Sequence, residues 1–188
     1  MLVGTKFCLC TPAKCGTRSV EAMLRPDHAS LHYPRHGTVH PFDGTRRIML
    51  VRHPHDRLLS HFAYNHRLRE RGAGIWAAKY SESLASYCEA VLWHRANAPY
   101  WIHTCNLTEM AAVFRPDVVF KLEHGLDALR RYLKKRFGLP LPRTPHVNRT
   151  RRGPRGDLNE LSLALRRRVL DWLAPDLETF DYEGIRLD

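Results

Sequence analysis

Residues Phe7–Leu24 read FCLCTPAKCGTRSVEAML. The opening apolar run extends back to Leu2 and suits a buried strand over 2–10. From Thr17 onward, Val20, Met23 and Leu24 recur at helical spacing, and Pro26 and Asp27 stop that helix. Between strand and helix lies the turn TPAKCGTRS (11–19). Gly16 allows a close approach of the backbone to a ligand. The amides of Gly16, Thr17, Arg18 and Ser19 open the helix as donors without intrahelical partners. Thr17 and Ser19 add hydroxyls; Lys14 and Arg18 add positive charge. This is chemistry for a phosphate or a sulfate, and it is equally an ordinary strand–helix turn that happens to carry a lysine.

The spacing rules out two familiar loops. In Walker A the lysine follows the last glycine, whereas Lys14 precedes Gly16. A phosphatase loop needs an arginine six positions after its cysteine; here those positions hold Gly16 and Glu21, counting from Cys10 and Cys15. Cys15 therefore reads as a small turn residue rather than a nucleophile.

Outward from this stretch the chain alternates. RIMLVRH (47–53) predicts a second strand, and a helix is predicted from Asp56. A helical middle covers roughly 80–95 and 106–114, and PDVVFKLE (116–123) predicts a third strand. GLDALRRYLKKRFG (125–138) is an amphipathic helix closed by Gly138, and 158–180 gives one or two final helices. Strand, helix, strand, helices, strand, helix implies an α/β fold with a central, mostly parallel sheet flanked by helices. In such sheets ligands bind at the carboxyl ends of the strands. A single domain over 1–188 is expected.

Composition sets further bounds. The chain has 188 residues, 44% of them apolar, and a formal charge of +11. The excess of positive charge asks for an anionic partner: nucleic acid, acidic polysaccharide, membrane surface or phosphorylated cofactor. Apolar runs are too short to cross a bilayer, and no signal-peptide pattern opens the chain. A soluble, cytoplasmic protein without a transmembrane segment is expected. The five cysteines (8, 10, 15, 88 and 105) form neither a disulfide framework nor a CxxC pair, so reduced thiols are expected. Twelve histidines include no HExxH, and no metal is expected.

A second segment, LVRHPHDRLLSHF (50–62), puts Arg52 at a strand end and Ser60 eight residues later, on a helix opened by Pro54 and Asp56. Arg52 can hold a phosphate through a bidentate pair, with Ser60 donating beside it. It can equally pair with a carboxylate, leaving Ser60 a surface hydroxyl. Together the two segments resemble the sulfotransferases that use 3'-phosphoadenosine 5'-phosphosulfate (PAPS). TPAKCGTRS is similar to that family's 5'-phosphosulfate loop, P-K-[SG]-G-T-[TS]. LVRHPHDRLLSHF is similar to its 3'-phosphate motif, V-R-[ND]-P-x-[DE]-R-x-x-S-x-[FY]. VVFKLEHGLDALRRYLKKRFGL resembles the strand and helix that carry R-[YF]-E-D-L. PHVNRT and LAPDLETFDY resemble the C-terminal end of the carbohydrate sulfotransferase branch. The resemblance spans about residues 5–183, with 67–115 unmatched. It departs from the family pattern at Ala13, inserted between Pro12 and Lys14, at His53 in place of Asn, and at Arg18 in place of Thr or Ser.

The resemblance implies a P-loop-like three-layer domain and metal-free, in-line transfer of a sulfuryl group to an acceptor hydroxyl. Lys14 is then catalytic, stabilising charge as the 5'-phosphate leaves. Lys14, Cys15, Gly16, Thr17, Arg18 and Ser19 hold the 5'-phosphosulfate, and Arg52 and Ser60 hold the 3'-phosphate. Arg151 and Arg152, in the basic stretch RTPHVNRTRRGPRG, are further contacts to the nucleotide. His36 is the first choice for the base and His40 the second. The acceptor is a carbohydrate or another small hydroxyl compound, and Trp76, Trp93 and Trp101 are either its stacking platform or core. Adenosine 3',5'-bisphosphate is the product. Two alternatives stand beside this reading: a P-loop kinase acting on a small molecule, and a basic nucleic-acid-binding protein.

Overall fold

The computed structural model describes residues 2–3, 6–24, 45–74, 76–97, 105–142 and 156–184. The elements in chain order are β1 (Leu2–Val3), β2 (Phe7–Cys10), α1 (Thr17–Leu24), β3 (Arg46–Val51), α2 (Pro54–Glu70) and α3 (Trp76–Lys79). Then come α4 (Leu84–Asn97), α5 (Leu107–Phe114), β4 (Val118–Lys121), α6 (Leu126–Phe137) and α7 (Leu163–Thr179). Short 3-10 turns occupy Leu122–His124 and Leu158–Glu160. The chain divides into two compact units: Met1–His53 with Glu109–Thr150, and Pro54–Thr108 with Arg151–Asp188.

The first unit is mixed α/β. Its sheet runs β1-β2-β3-β4, with β2, β3 and β4 parallel. The pairs Leu9↔Ile48, Ile48↔Val118 and Leu50↔Phe120 put Phe7, Leu9, Ile48, Leu50, Val118 and Phe120 on one face. Val20, Met23 and Leu24 of α1 and Leu129 and Leu133 of α6 cover that face. On the opposite face Cys8, Cys10, Met49 and Val51 are buried as well. Burial on both faces is why FCLC and IMLV read as unbroken apolar runs instead of alternating. Helix α6 closes as its sequence predicts: Gly138 sits at φ 70° and donates its N–H to the Lys134 carbonyl.

The structure corrects the strand expected over 2–10. Leu2–Val3 and Phe7–Cys10 are separate strands paired antiparallel, with Leu2↔Leu9 and Val3↔Cys8 in register. The fold-back supplies backbone partners to a strand that would otherwise be the sheet's bare edge. The other two strands end at Val51 and Lys121, two residues sooner than the sequence suggests.

The second unit is helical. Leu58 and Phe62 of α2, Leu84, Tyr87, Cys88 and Val91 of α4, and Leu165, Val169 and Leu173 of α7 form its core together with Leu158 and Leu161. The 158–180 segment resolves into a 3-10 turn followed by one helix that runs through Pro175. Ser162 caps that helix by accepting the Leu165 N–H at 3.4 Å. Among the described residues, no helix is long and apolar enough to cross a membrane.

Several buried polar side chains in this unit are tied to backbone. Asp176, fully buried, accepts the N–H groups of Leu107 at 2.9 Å and Thr108 at 2.8 Å, capping the start of α5. Asn106 donates to the Trp172 carbonyl at 2.8 Å. Arg57 donates through both terminal nitrogens to the Cys105 carbonyl, each at 3.3 Å. His61 Nδ1 and the Tyr87 hydroxyl are 2.8 Å apart, and Asn65 donates to the His61 carbonyl at 2.9 Å.

Replacing Asp176 by Ala strands two buried amides. We expect Asp176→Ala to lose about 3 kcal/mol of stability in urea denaturation, and Asp176→Asn, which keeps one acceptor oxygen, to lose less.

Candidate functional site

In the first unit β2, β3 and β4 run parallel, so their carboxyl ends share one edge of the sheet. The segments leaving that edge carry the residues singled out by sequence. The loop after β2 is a tight turn in which Cys15 donates its N–H to the Pro12 carbonyl at 3.0 Å. Lys14 sits at φ 68° and Gly16 at φ 82°, while Ala13 stays outside positive φ. One left-handed residue at the third position of a four-residue turn defines type II geometry. Ala13 is thus absorbed as the second residue of the turn, with Lys14 beside it in a conformation that costs a non-glycine residue about 1–2 kcal/mol.

Gly16 is required for a second reason. A Cβ placed on it would lie 3.0 Å from Leu122 Cδ1 and 3.6 Å from Leu50 Cδ2. The loop therefore rests against the ends of β3 and β4. Gly16 also launches α1, its carbonyl accepting the N–H groups of Ser19 and Val20 at 3.0 Å each. Among the described residues nothing accepts from the amides of Gly16, Thr17 and Arg18. No acidic residue occupies the first turn of α1. That helix start favours an anion through both its donors and its dipole.

The side chains divide between holding the loop and facing outward. The Thr17 hydroxyl donates inward, to the carbonyls of Thr11 at 3.2 Å and Pro12 at 3.5 Å. Thr17 can therefore offer a ligand its amide more readily than the hydroxyl expected from sequence. Cys15 is fully buried, its amide spent in the turn and its thiol 3.9 Å from the Ala13 carbonyl. It shapes the loop and presents neither group outward. Ser19 is buried and Arg18 exposed. The Thr11 hydroxyl is buried at the root of the loop without a partner among the described residues.

Arg52, one residue beyond β3, donates from Nη1 to the Lys14 carbonyl at 3.4 Å. Two predicted site residues 38 positions apart in sequence are thereby brought together, through the Lys14 backbone. The next residue, His53, donates its N–H to Glu123 Oε1 at 2.7 Å. Sequence reasoning gave Glu123 no role. Its only signal was its place in the stretch resembling R-[YF]-E-D-L; the cross-strand register that brings it to His53 is not readable from one chain segment.

Ser60 is half-buried in the second turn of α2, in the helical unit. His36, His40, Arg151 and Arg152 lie outside the described residues, as does Trp101. Trp93 on α4 is 62% exposed, whereas Tyr87 of the same helix is core. None of the five cysteines forms a disulfide. Burial pushes the Cys10 thiol up to about 11 and that of Cys88 to about 12.

No family model matches this chain, and no curated protein or solved structure matches it.

Two outcomes follow from this geometry. Gly16→Ala forces a left-handed alanine against Leu122, with an expected loss of about 1–2 kcal/mol in thermal or urea unfolding. Because Cys8, Cys10, Cys15 and Cys88 are buried and Cys105 is partly exposed, brief iodoacetamide treatment near neutral pH should label Cys105 first. Mass spectrometry of tryptic peptides reads this directly. Alkylation of Cys10 and Cys88 should stay slow as pH rises toward 9, since their raised values keep them protonated there.

Proposed function

We propose that this chain is a PAPS-dependent sulfotransferase. The observation that carries the reading is the meeting of Arg52 with the backbone of Lys14, on a loop that leads into the amides of Gly16, Thr17 and Arg18, which have no acceptor among the described residues. The two motifs resembling the family's phosphate-binding elements thus contribute to one anion site. The site also fits an anionic group independently of any motif. It has a buried Thr11 hydroxyl without a partner among the described residues, and a helix start whose first turn carries no acidic residue. The β2–loop–α1 unit supports taking the sheet as the core of a P-loop-like three-layer domain; a cytoplasmic location belongs to the same proposal and rests on the sequence reading alone.

Bound PAPS supplies the activated sulfuryl group. The amides of Gly16, Thr17 and Arg18 orient the 5'-phosphosulfate, and the Arg18 guanidinium adds positive charge. Lys14 would supply positive charge to stabilise the departing 5'-phosphate. By the family resemblance His36 or His40 would take the proton of the acceptor hydroxyl as sulfuryl transfer proceeds. Arg52 takes the 3'-phosphate. The same resemblance assigns Ser60, Arg151 and Arg152 to the nucleotide, and favours a carbohydrate acceptor. Catalysis of this kind rests on positioning and charge stabilisation, not on covalent work by the protein.

Calorimetric titration with adenosine 3',5'-bisphosphate tests the reading. We expect binding that Arg52→Ala weakens by roughly 30-fold, the scale of a charge-assisted bidentate contact. Lys14→Ala should leave that affinity within a few fold and slow sulfuryl transfer from PAPS to a sugar acceptor by about 10²–10³. Absence of nucleotide binding overturns the proposal. Magnesium-dependent binding of ATP in its place points to a kinase, and steeply salt-dependent binding of DNA or RNA points to a nucleic-acid-binding protein.

A further inference from the structure

We propose that Glu123 is a positioning residue that sets Arg52 against the anion loop, an inference that rests on the sulfotransferase reading for its ligand but not for its geometry. The ladder between β3 and β4 ends at the pair Val51↔Lys121. Past that pair the backbone of Arg52 and His53 leaves the sheet. At 2.7 Å, Glu123 Oε1 accepts the His53 N–H. A side chain from beyond β4 thus does for His53 what the ladder does for Val51.

Glu123 is itself well mounted. It lies in the 3-10 turn Leu122–His124, closed by the Gly125 N–H on the Leu122 carbonyl at 2.9 Å. Gly125 turns the chain into α6 at φ 78°. The neighbouring Leu122 is the residue that bounds Gly16, 3.0 Å from where a Cβ would stand. One short turn therefore touches the anion loop through Leu122 and the residue after Arg52 through Glu123. The third contact, Arg52 Nη1 to the Lys14 carbonyl at 3.4 Å, closes the set.

The consequence is mechanical. A rotation of the Arg52–His53 peptide is magnified along the long arginine side chain, and a misplacement of about 1 Å at a binding group is enough to cost two orders of magnitude in rate. A carboxylate also repels the phosphate or sulfate that such a loop attracts. The role inferred for Glu123 in that setting is the bond it accepts from the His53 amide. Glutamine keeps the acceptor oxygen and drops the charge; alanine removes both.

The experiment follows hydrogen exchange at the His53 amide and calorimetric affinity for adenosine 3',5'-bisphosphate in Glu123→Gln, Glu123→Ala, Arg52→Ala and the Arg52→Ala/Glu123→Ala double variant. We expect Glu123→Gln to retain protection at His53 and parental affinity. Glu123→Ala should lose that protection and bind about tenfold more weakly, the scale of one charge-assisted hydrogen bond. In the Arg52→Ala background the Glu123→Ala change should add little, because it acts through Arg52. Equal damage from Gln and Ala overturns the inference in favour of a role for the charge, and so does an additive double variant. If the parent protein binds no nucleotide, the sulfotransferase reading fails by itself. Exchange at His53 in the Ala and Gln variants then decides the clamp, and unchanged protection in Glu123→Ala refutes it.

Discussion

Parallel strands that end together leave their last backbone groups without ladder partners, and the segments beyond them must find replacements. That requirement organises the carboxyl edge of this sheet. After β2, the Pro12 carbonyl is met by the Cys15 amide and the Thr11 carbonyl by the Thr17 hydroxyl. After β3, the His53 amide is met by Glu123. The Lys14 carbonyl, turned outward by the left-handed turn, is met by Arg52. Glu123 and Arg52 each come from a different strand end than the group they satisfy, so meeting the backbone's needs also draws the candidate binding residues together. The amides left over at the start of α1 are those a ligand can take.

The helical unit meets the same demand in a buried setting. Two of the residues within the family-like motifs have structural work there. Arg57, the second arginine of LVRHPHDRLLSHF, is buried and holds the Cys105 carbonyl. Asp176, the first residue of the DLETFDY stretch, is buried and caps α5. Phe180 of the same stretch is also buried. A motif is thus a mixture of residues that can touch a ligand and residues that hold the chain in place, and its pattern does not separate them.

That mixture explains what the sequence made legible. The continuous apolar runs at 7–10 and 48–51 marked strands covered on both faces, and Gly138 marked the end of α6 because only a residue at ease with positive φ closes a helix that way. Gly16 was read as allowing the backbone to approach a ligand, whereas the fold uses it for a positive φ and for close packing against Leu122. The break in the strand over 2–10 was not, since Leu2, Val3 and Phe7–Cys10 have strand character whether they run on or fold back; only pairing decides. Thr17 was assigned an outward hydroxyl because composition does not say which way a rotamer points, and the carbonyls of Thr11 and Pro12 claimed it. Glu123 was overlooked because its partner is a backbone amide 70 residues away in sequence.

Lys14 carries one more consequence. The backbone at φ 68° is one that glycine adopts without strain and lysine does not. Stability and charge are therefore opposed at a single position. A sequence shaped only to make this turn as firm as possible would place glycine there and lose the ammonium group. Lysine at that spot makes the loop slightly weaker as an architectural element and gives it a cation anchored to a backbone with little freedom to turn away.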